Sequence, residues 1–144
     1  MKRIFGILLF LLMVSPAFGQ TSASALRNVL VGKLKLSLQW ISWTKFGSVQ
    51  ISQRDHVYWI KGEQRSPTSA DFLAIEGIIE PVSEKELTFT GKILTRVSYL
   101  YGGETCEKEG TFTFKATGNR KYWRLQQMQN CDGISVDYVD IYFK

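Results

Sequence analysis

Alternation of apolar and polar residues is the feature that most limits the folds open to this chain. From Lys33 to Trp40 every second residue is apolar, and the run from Glu86 to Tyr99 repeats the pattern with few exceptions. A period of two is typical of a strand that buries one face. β-branched and aromatic residues, which suit a pleated and half-buried surface, fill these runs. The sequence therefore predicts an all-β fold.

Turn-forming residues divide the chain into about eight candidate strands and one short helix. The predicted helix spans roughly 22–30. The predicted strands are 33–43, 47–52, 56–61, 71–80, 86–101, 110–117, 121–129 and 135–143. Short connections favour antiparallel neighbours, and a meander with one buried face most simply closes into a small barrel. A two-sheet sandwich is the alternative. Gly91, inside the longest run, is expected to mark a bend or bulge.

The first nineteen residues predict export. Lys2 and Arg3 precede an apolar run from Ile4 to Val14, and small residues follow at Ala17 and Gly19. This is the layout of a secretory signal peptide, 1–19, in front of a single barrel domain, 20–144. The run is short for a bilayer span, so an uncleaved anchor is the alternative. The expected location is periplasmic or extracellular, with no membrane span after cleavage.

Charge and composition exclude several classes of function. The formal net charge is +5, and removal of Lys2 and Arg3 would leave +3. A surplus this small is not a nucleic-acid footprint. A membrane barrel would need apolar residues on its outer face, yet lysines alternate with the apolar set. His56 is the only histidine, so neither a metal site nor a cofactor is predicted.

The two cysteines, Cys106 and Cys131, predict a disulfide, since a lone pair in an exported chain is most often bridged. Gly118-Asn119 suits a two-residue hairpin loop of type II′. That loop would pair Phe114 with Trp123, Phe112 with Leu125, and Cys106 with Cys131. The two cysteines would then form a cross-strand pair, with Cα atoms roughly 4.5 Å apart.

The next hairpin leaves two registers open. A two-residue loop at Asp132-Gly133 would pair Leu125 with Asp140 and turn a carboxylate toward the core. One extra loop residue would instead bring Val139, Ile141 and Phe143 to that face. The second register is favoured, because burying an unpaired carboxylate is costly.

A few side chains stand out as candidate ligand or partner contacts. Basic and aromatic residues cluster between Arg120 and Arg124, and Asp137 and Asp140 interrupt an otherwise apolar strand. Both aspartates are expected to form structural ion pairs, with Arg124 or Arg120 as partners for them. The candidate contacts are Trp43, Arg96, Arg120, Tyr122, Arg124, Asp137 and Asp140.

The leading hypothesis is a non-enzymatic binding module for a small apolar ligand or for an envelope or extracellular partner. The expected layout resembles, in architecture, that of lipocalin-type carriers and periplasmic lysozyme inhibitors, and a fold alone does not assign a function. The alternatives are a hydrolase that acts on cell-wall glycan or lipid through paired carboxylates, or a structural protein. A hydrolase should show two carboxylates converging in a cleft.

Overall fold

Eight antiparallel strands close into a barrel in the computed structural model, which describes residues 20–144. The predicted barrel is confirmed, and the predicted signal peptide lies outside the described residues. The elements, in order, are α1 Gln20–Leu30, β1 Gly32–Leu38, β2 Gly47–Arg54, β3 Val57–Arg65, β4 Phe72–Ser83, β5 Glu86–Arg96, β6 Thr105–Lys115, β7 Tyr122–Leu125 and β8 Val139–Tyr142, with a 3-10 turn Tyr101–Gly103 before β6. No helix within these residues is long and apolar enough to cross a membrane.

The interior of the barrel is filled by the apolar residues that the alternation predicted. Each inward side chain of β1, Leu34, Leu36 and Leu38, is at most 4% exposed, and Phe89 and Trp123 are completely buried. An eight-stranded barrel is just wide enough for side chains to fill it. The interior therefore serves as a hydrophobic core.

Inward-facing glycines allow neighbouring strands to approach closely at one level of the wall. Gly91 of β5 pairs directly with Gly77 of β4 on one side and with Gly110 of β6 on the other. A Cβ atom on Gly91 would lie 2.2 Å from the carbonyl oxygen of Glu76. Only glycine fits such a close approach. Gly91 thus marks a tight strand contact with its pairing intact, and not the expected bulge.

Helix α1 contacts the barrel through its C-terminal residues. Leu30, at the end of α1, is completely buried and belongs to the core, and Val29 packs against it. The Nζ of Lys144 donates hydrogen bonds to the carbonyl oxygens of Asn28 and Val31. A cation at the C-terminal end of a helix is favourable because the free carbonyls carry negative partial charge.

The predicted register of the β6–β7 hairpin is wrong by two residues. Phe114 pairs with Leu125, and Lys115 pairs with Arg124. A turn does form around Gly118, closed by a 3.3 Å hydrogen bond from the Arg120 N–H to the Thr117 carbonyl. Two extra residues on the β7 side then separate the turn from the ladder.

Tertiary contacts outweigh the local turn here. Trp123, one of the displaced residues, donates from Nε1 to the Glu84 carbonyl at 3.0 Å, and it pairs with Ile141 of β8. A shift by two keeps every side chain on its face. Phe114, Trp123 and Leu125 are therefore buried as predicted.

The disulfide is confirmed, but it is not the predicted cross-strand pair. Cys106 and Cys131 are bonded, with their Cα atoms 5.5 Å apart. Because β7 already ends at Leu125, Cys131 lies in the loop that follows it. The bridge therefore ties this loop to the start of β6, whereas the described β6–β7 ladder pairs only Phe114 and Lys115, at the other end of that strand.

The favoured register of the last hairpin is confirmed. Trp123 pairs with Ile141, and Arg124 pairs with Asp140. Val139 and Ile141 are buried. Phe143 is half-buried, and its ring centroid lies 4.4 Å from that of Trp123.

Replacing both cysteines with serine is expected to lower the free energy of unfolding by about 2–3 kcal/mol. The chain-entropy model gives about 3.5 kcal/mol for a loop of this length. The barrel already restrains both ends, so the observed loss should be smaller. Urea unfolding of the double variant and of the oxidised parent measures it. A loss below about 0.5 kcal/mol would contradict the stabilising role.

Candidate functional site

Four long connections gather at the end of the barrel opposite the helix. We call this the loop end, and it consists of the segments 39–46, 66–71, 97–104 and 126–138. Strands of an antiparallel meander alternate in direction, so every second connection falls at the same end. The connections at the helix end are shorter, as at Asp55-His56 and Glu84-Lys85.

The segment 97–104 is anchored by a buried carboxylate. Asp71, 6% exposed, accepts hydrogen bonds from the Ser98 N–H at 2.9 Å and from its hydroxyl at 3.2 Å. Arg96 donates from Nε to the Gly103 carbonyl at 3.0 Å, and its guanidinium lies 3.9 Å from Asp71. Arg96, a candidate contact residue, therefore holds this loop in place.

The segment 39–46 is held by two glutamines. Gln64, buried inside the barrel, accepts from the Leu38 N–H at 2.7 Å and donates to the Lys45 carbonyl at 2.9 Å. Gln39 donates to the Val136 carbonyl and accepts from the Tyr138 N–H. Because of these contacts, β1 ends at Leu38. The alternation alone predicts a strand that continues to residue 43.

The segment 126–138 folds on itself. Asp132 accepts hydrogen bonds from the N–H groups of Ile134 and Ser135 and from the Ser135 hydroxyl. The hydroxyl hydrogen bond is the largest cause that lowers the pKa of Asp132. Asn130 donates to the Ser135 carbonyl at 2.8 Å. Together with the disulfide, these bonds give the segment a fixed shape.

Asp137 lies at the centre of a buried polar cluster. It is 1% exposed and accepts hydrogen bonds from Asn130 Nδ2, at 3.0 and 3.2 Å, and from Trp40 Nε1 at 3.1 Å. The Lys108 ammonium lies 4.0 Å away. Burial raises the pKa of Asp137 and lowers the pKa of Lys108. Asp137 therefore joins three segments of the chain and has almost no contact with solvent.

The anchored loops expose large apolar side chains. Tyr99 is 65% exposed, yet its hydroxyl donates to the Trp40 carbonyl and its ring packs edge-on against Trp40. Tyr101 has a φ of +51°, a left-handed conformation that bulky residues rarely adopt. We define the rim as five exposed apolar residues of the loop end, which are Trp43, Tyr99, Tyr101, Ile134 and Val136. Phe46, the last residue of segment 39–46, packs against Tyr142 of β8 and is not part of the rim.

The remaining candidate residues lie elsewhere, on the outer wall. Arg124 forms two hydrogen bonds with Asp140, at 2.8 and 2.7 Å, and Asp140 is completely buried. These bonds raise the pKa of Arg124. The guanidinium also lies 4.0 Å from the centroid of the Tyr138 ring and 5.1 Å from that of Tyr122, and Arg120 covers the same Tyr122 ring.

The structure divides the seven candidate contacts into two groups. Trp43, Arg96 and Asp137 lie at the loop end, and the other four lie on the outer wall around Tyr122. Asp137 and Asp140 have separate partners and are 1% and 0% exposed, so they do not form the open carboxylate pair that a hydrolase needs. Residues 20–144 hold no group of three or more potential metal ligands.

Most of the rim was missed by the sequence analysis. The alternation over 86–101 predicts that Tyr99 faces inward, but β5 ends at Arg96 and a turn follows. The Gly102-Gly103 pair was the available signal, since two adjacent glycines with positive φ mark an irregular loop. Gly133 gives the same kind of signal next to Ile134 and Val136.

The raised pKa of Asp137 predicts a specific dependence of stability on pH. A carboxyl with a raised pKa in the folded state favours folding at low pH, and this contribution is lost as the pH rises from 3.8 through the folded pKa. The parent should therefore lose stability relative to Asp137→Asn across that window. Urea unfolding of both proteins from pH 3 to pH 8 tests this, and a difference that is constant with pH would contradict it.

The sequence of this chain is similar to that of known proteins. The model of the PM1083 family matches residues 19–143. The chain is 43% identical over 130 residues to the uncharacterized protein PM1083 of Pasteurella multocida (strain Pm70). The aligned stretch covers 90% of this chain and 83% of the relative. No solved structure matches the chain.

Proposed function

This chain belongs to the PM1083 family, and we propose that it is an exported, non-enzymatic binding module that holds an envelope or extracellular protein at the rim. The observation that carries the proposal is the combination of anchored loops with exposed aromatic side chains. Polar networks and a disulfide fix the loop end, yet Trp43, Tyr99 and Tyr101 remain 44–65% exposed.

The filled interior favours a partner over a small apolar ligand. Carriers of small ligands keep a cavity inside the barrel. Here Leu36, Phe89 and Ile93 from different strands are all at most 1% exposed in one continuous core. Two grooves of the described residues, lined by Lys33 and Lys61 among others, lie on the outer wall.

The rim has the chemistry of a protein interface. Tyrosine and tryptophan are enriched at the centres of interfaces, because each buries a large area and loses little conformational freedom. Loops that are already ordered before binding keep the entropic cost of association low. The Asp71 and Asp137 anchors supply that order at the loop end.

Export is supported by two independent features. The bonded pair Cys106–Cys131 is typical of proteins in oxidising compartments. The apolar stretch of residues 4–14, preceded by Lys2 and Arg3, has the composition of a signal peptide. A rim that works outside the cytoplasm would meet envelope or extracellular proteins.

Site-directed photo-crosslinking tests the proposal. A photoreactive residue replaces Trp43 at the rim, and the control replaces Val82, 63% exposed at the helix end. Both variants are expressed in the source cells and irradiated. We expect a defined adduct with another protein from position 43 and none from position 82.

An adduct alone does not establish that the rim binds the crosslinked protein, so its affinity is measured as well. The crosslinked protein, once purified, should bind the parent and bind Tyr101→Ala at least about tenfold more weakly, as is typical for loss of one interface anchor. Equal crosslinking from both positions would contradict the proposal. Crosslinking only between copies of this chain would point instead to self-assembly.

A further inference from the structure

Two grooves flank β1 on the outer wall. The first, of about 730 Å³, lies toward β2, and the second, of about 310 Å³, lies toward β8. They share Lys33, Leu34 and Lys35, so they meet across β1. The wall groove, as we call the pair, is lined in addition by Phe46, Gly47, Ser48, Glu63, Arg65, Lys121, Tyr142, Phe143 and Lys144.

The wall groove carries a concentrated positive charge. Among its lining residues, five are basic and only Glu63 is acidic, and Glu63 pairs with Arg65 at 3.0 Å. The ion pairs formed within residues 20–144 include none of Lys33, Lys35 and Lys121. Elsewhere on the barrel, outward lysines such as Lys61 and Lys92 have carboxylate partners. The positive charge of the wall groove is therefore available to a ligand.

A row of aromatic rings runs across the same wall. Lys35, Tyr142 and Tyr122 are register partners across β1, β8 and β7. The rings of Tyr122 and Tyr142 are 5.2 Å apart, and Phe46 lies 5.1 Å from Tyr142. Lys35 lies 5.2 Å from the centroid of the Phe46 ring. The row thus alternates apolar ring surfaces with cationic groups.

We propose that the wall groove binds an anionic polysaccharide. Sugar rings have apolar faces that pack on aromatic side chains, and ammonium groups pair with carboxylate, sulfate or phosphate substituents. A linear chain fits two grooves that join across one strand, whereas a bilayer surface is too flat to enter them. The proposal does not depend on the function of the rim, because the two surfaces share none of their defining residues.

Titration calorimetry with octagalacturonate, a carboxylated oligosaccharide, tests the proposal. Its methyl ester provides a neutral sugar, tripolyphosphate provides charge without a sugar, and phosphatidylglycerol vesicles provide an anionic membrane. The test variant is Lys33→Gln/Lys35→Gln/Lys121→Gln. The matched control, Arg54→Gln/Lys61→Gln/Lys115→Gln, removes the same charge from β2, β3 and β6.

We expect octagalacturonate to bind the parent and the control, and to bind the test variant at least about tenfold more weakly. Phe46→Ala, at a ring 37% exposed, should weaken octagalacturonate but leave tripolyphosphate unchanged. Equal weakening in the test variant and the control would overturn the proposal, as would no binding by the parent. Binding to vesicles alone would identify a lipid surface and would also overturn it.

Discussion

Replacing Trp123 with alanine is expected to lower the free energy of unfolding by about 3–5 kcal/mol, the range typical of large aromatic residues in cores. Trp123 is completely buried and is the largest fully buried side chain among the described residues. It packs on Phe143 and donates to the Glu84 carbonyl. The substitution therefore opens a cavity and removes the contact that holds β7 against the β4–β5 turn.

Urea unfolding followed by circular dichroism measures this loss, and Trp59→Ala is the matched control. Trp59 is 44% exposed on β3 and contacts Arg54 on the outer surface. The control should lose less than about 1 kcal/mol, as is usual for surface positions. A loss at Trp123 no greater than that at Trp59 would show that the core is not organised around this residue.

Replacing Asp140 with alanine is expected to lower the free energy of unfolding by about 3–5 kcal/mol, because Arg124 would keep a largely buried charge without its partner. The Arg124 side chain is only 11% exposed. Ser37 is the register partner of Asp140 across β1 and β8. The Ser37 hydroxyl is buried and has no hydrogen-bond partner among the described residues. Without the carboxylate, Arg124 would lose the two hydrogen bonds that it donates to Asp140.

A double variant separates the charge effect from general disruption. Arg124→Met/Asp140→Leu removes both charges, and it should recover most of the stability that Asp140→Ala loses, since buried ion pairs are often replaceable by apolar residues. The exposed pair Lys61–Glu76, at 3.2 Å, is the control, and Glu76→Ala should change stability by less than about 1 kcal/mol. If the double variant is as unstable as Asp140→Ala, the unpaired charge is not the cause.

The barrel core was predictable because alternation is a local property of each strand. The inward residues of β1 and β5 were read from spacing alone and are buried. The prediction even survived a wrong hairpin register, since a shift by two leaves Phe114 and Trp123 on the same face. The disulfide was predictable from the number of cysteines and the expected compartment, which need no register.

Strand ends and loop positions were less predictable, because side chains from distant segments determine them. Gln64 and Gln39 end β1 at Leu38, although the alternation continues to Trp40. The Gly102-Gly103 pair indicates a loop near Tyr99, but it does not show that the chain already turns after Arg96 and exposes the Tyr99 ring. The rim could therefore not be assembled before the loops were placed.

The amino-acid pattern by itself determined the class of fold, the inner and outer faces of the strands and the pair of bonded sulfurs. These depend on periodicity and composition, which each short segment carries independently. Only the tertiary structure decided which polar groups meet. It joins Trp40 with Asp137, 97 residues apart, and it pairs Arg124 with Asp140 while Asp137 contacts Asn130 and Lys108 and neither of the expected arginines. Such contacts arise when the closed barrel brings remote strands and loops together, and so they define where the rim and the wall groove lie.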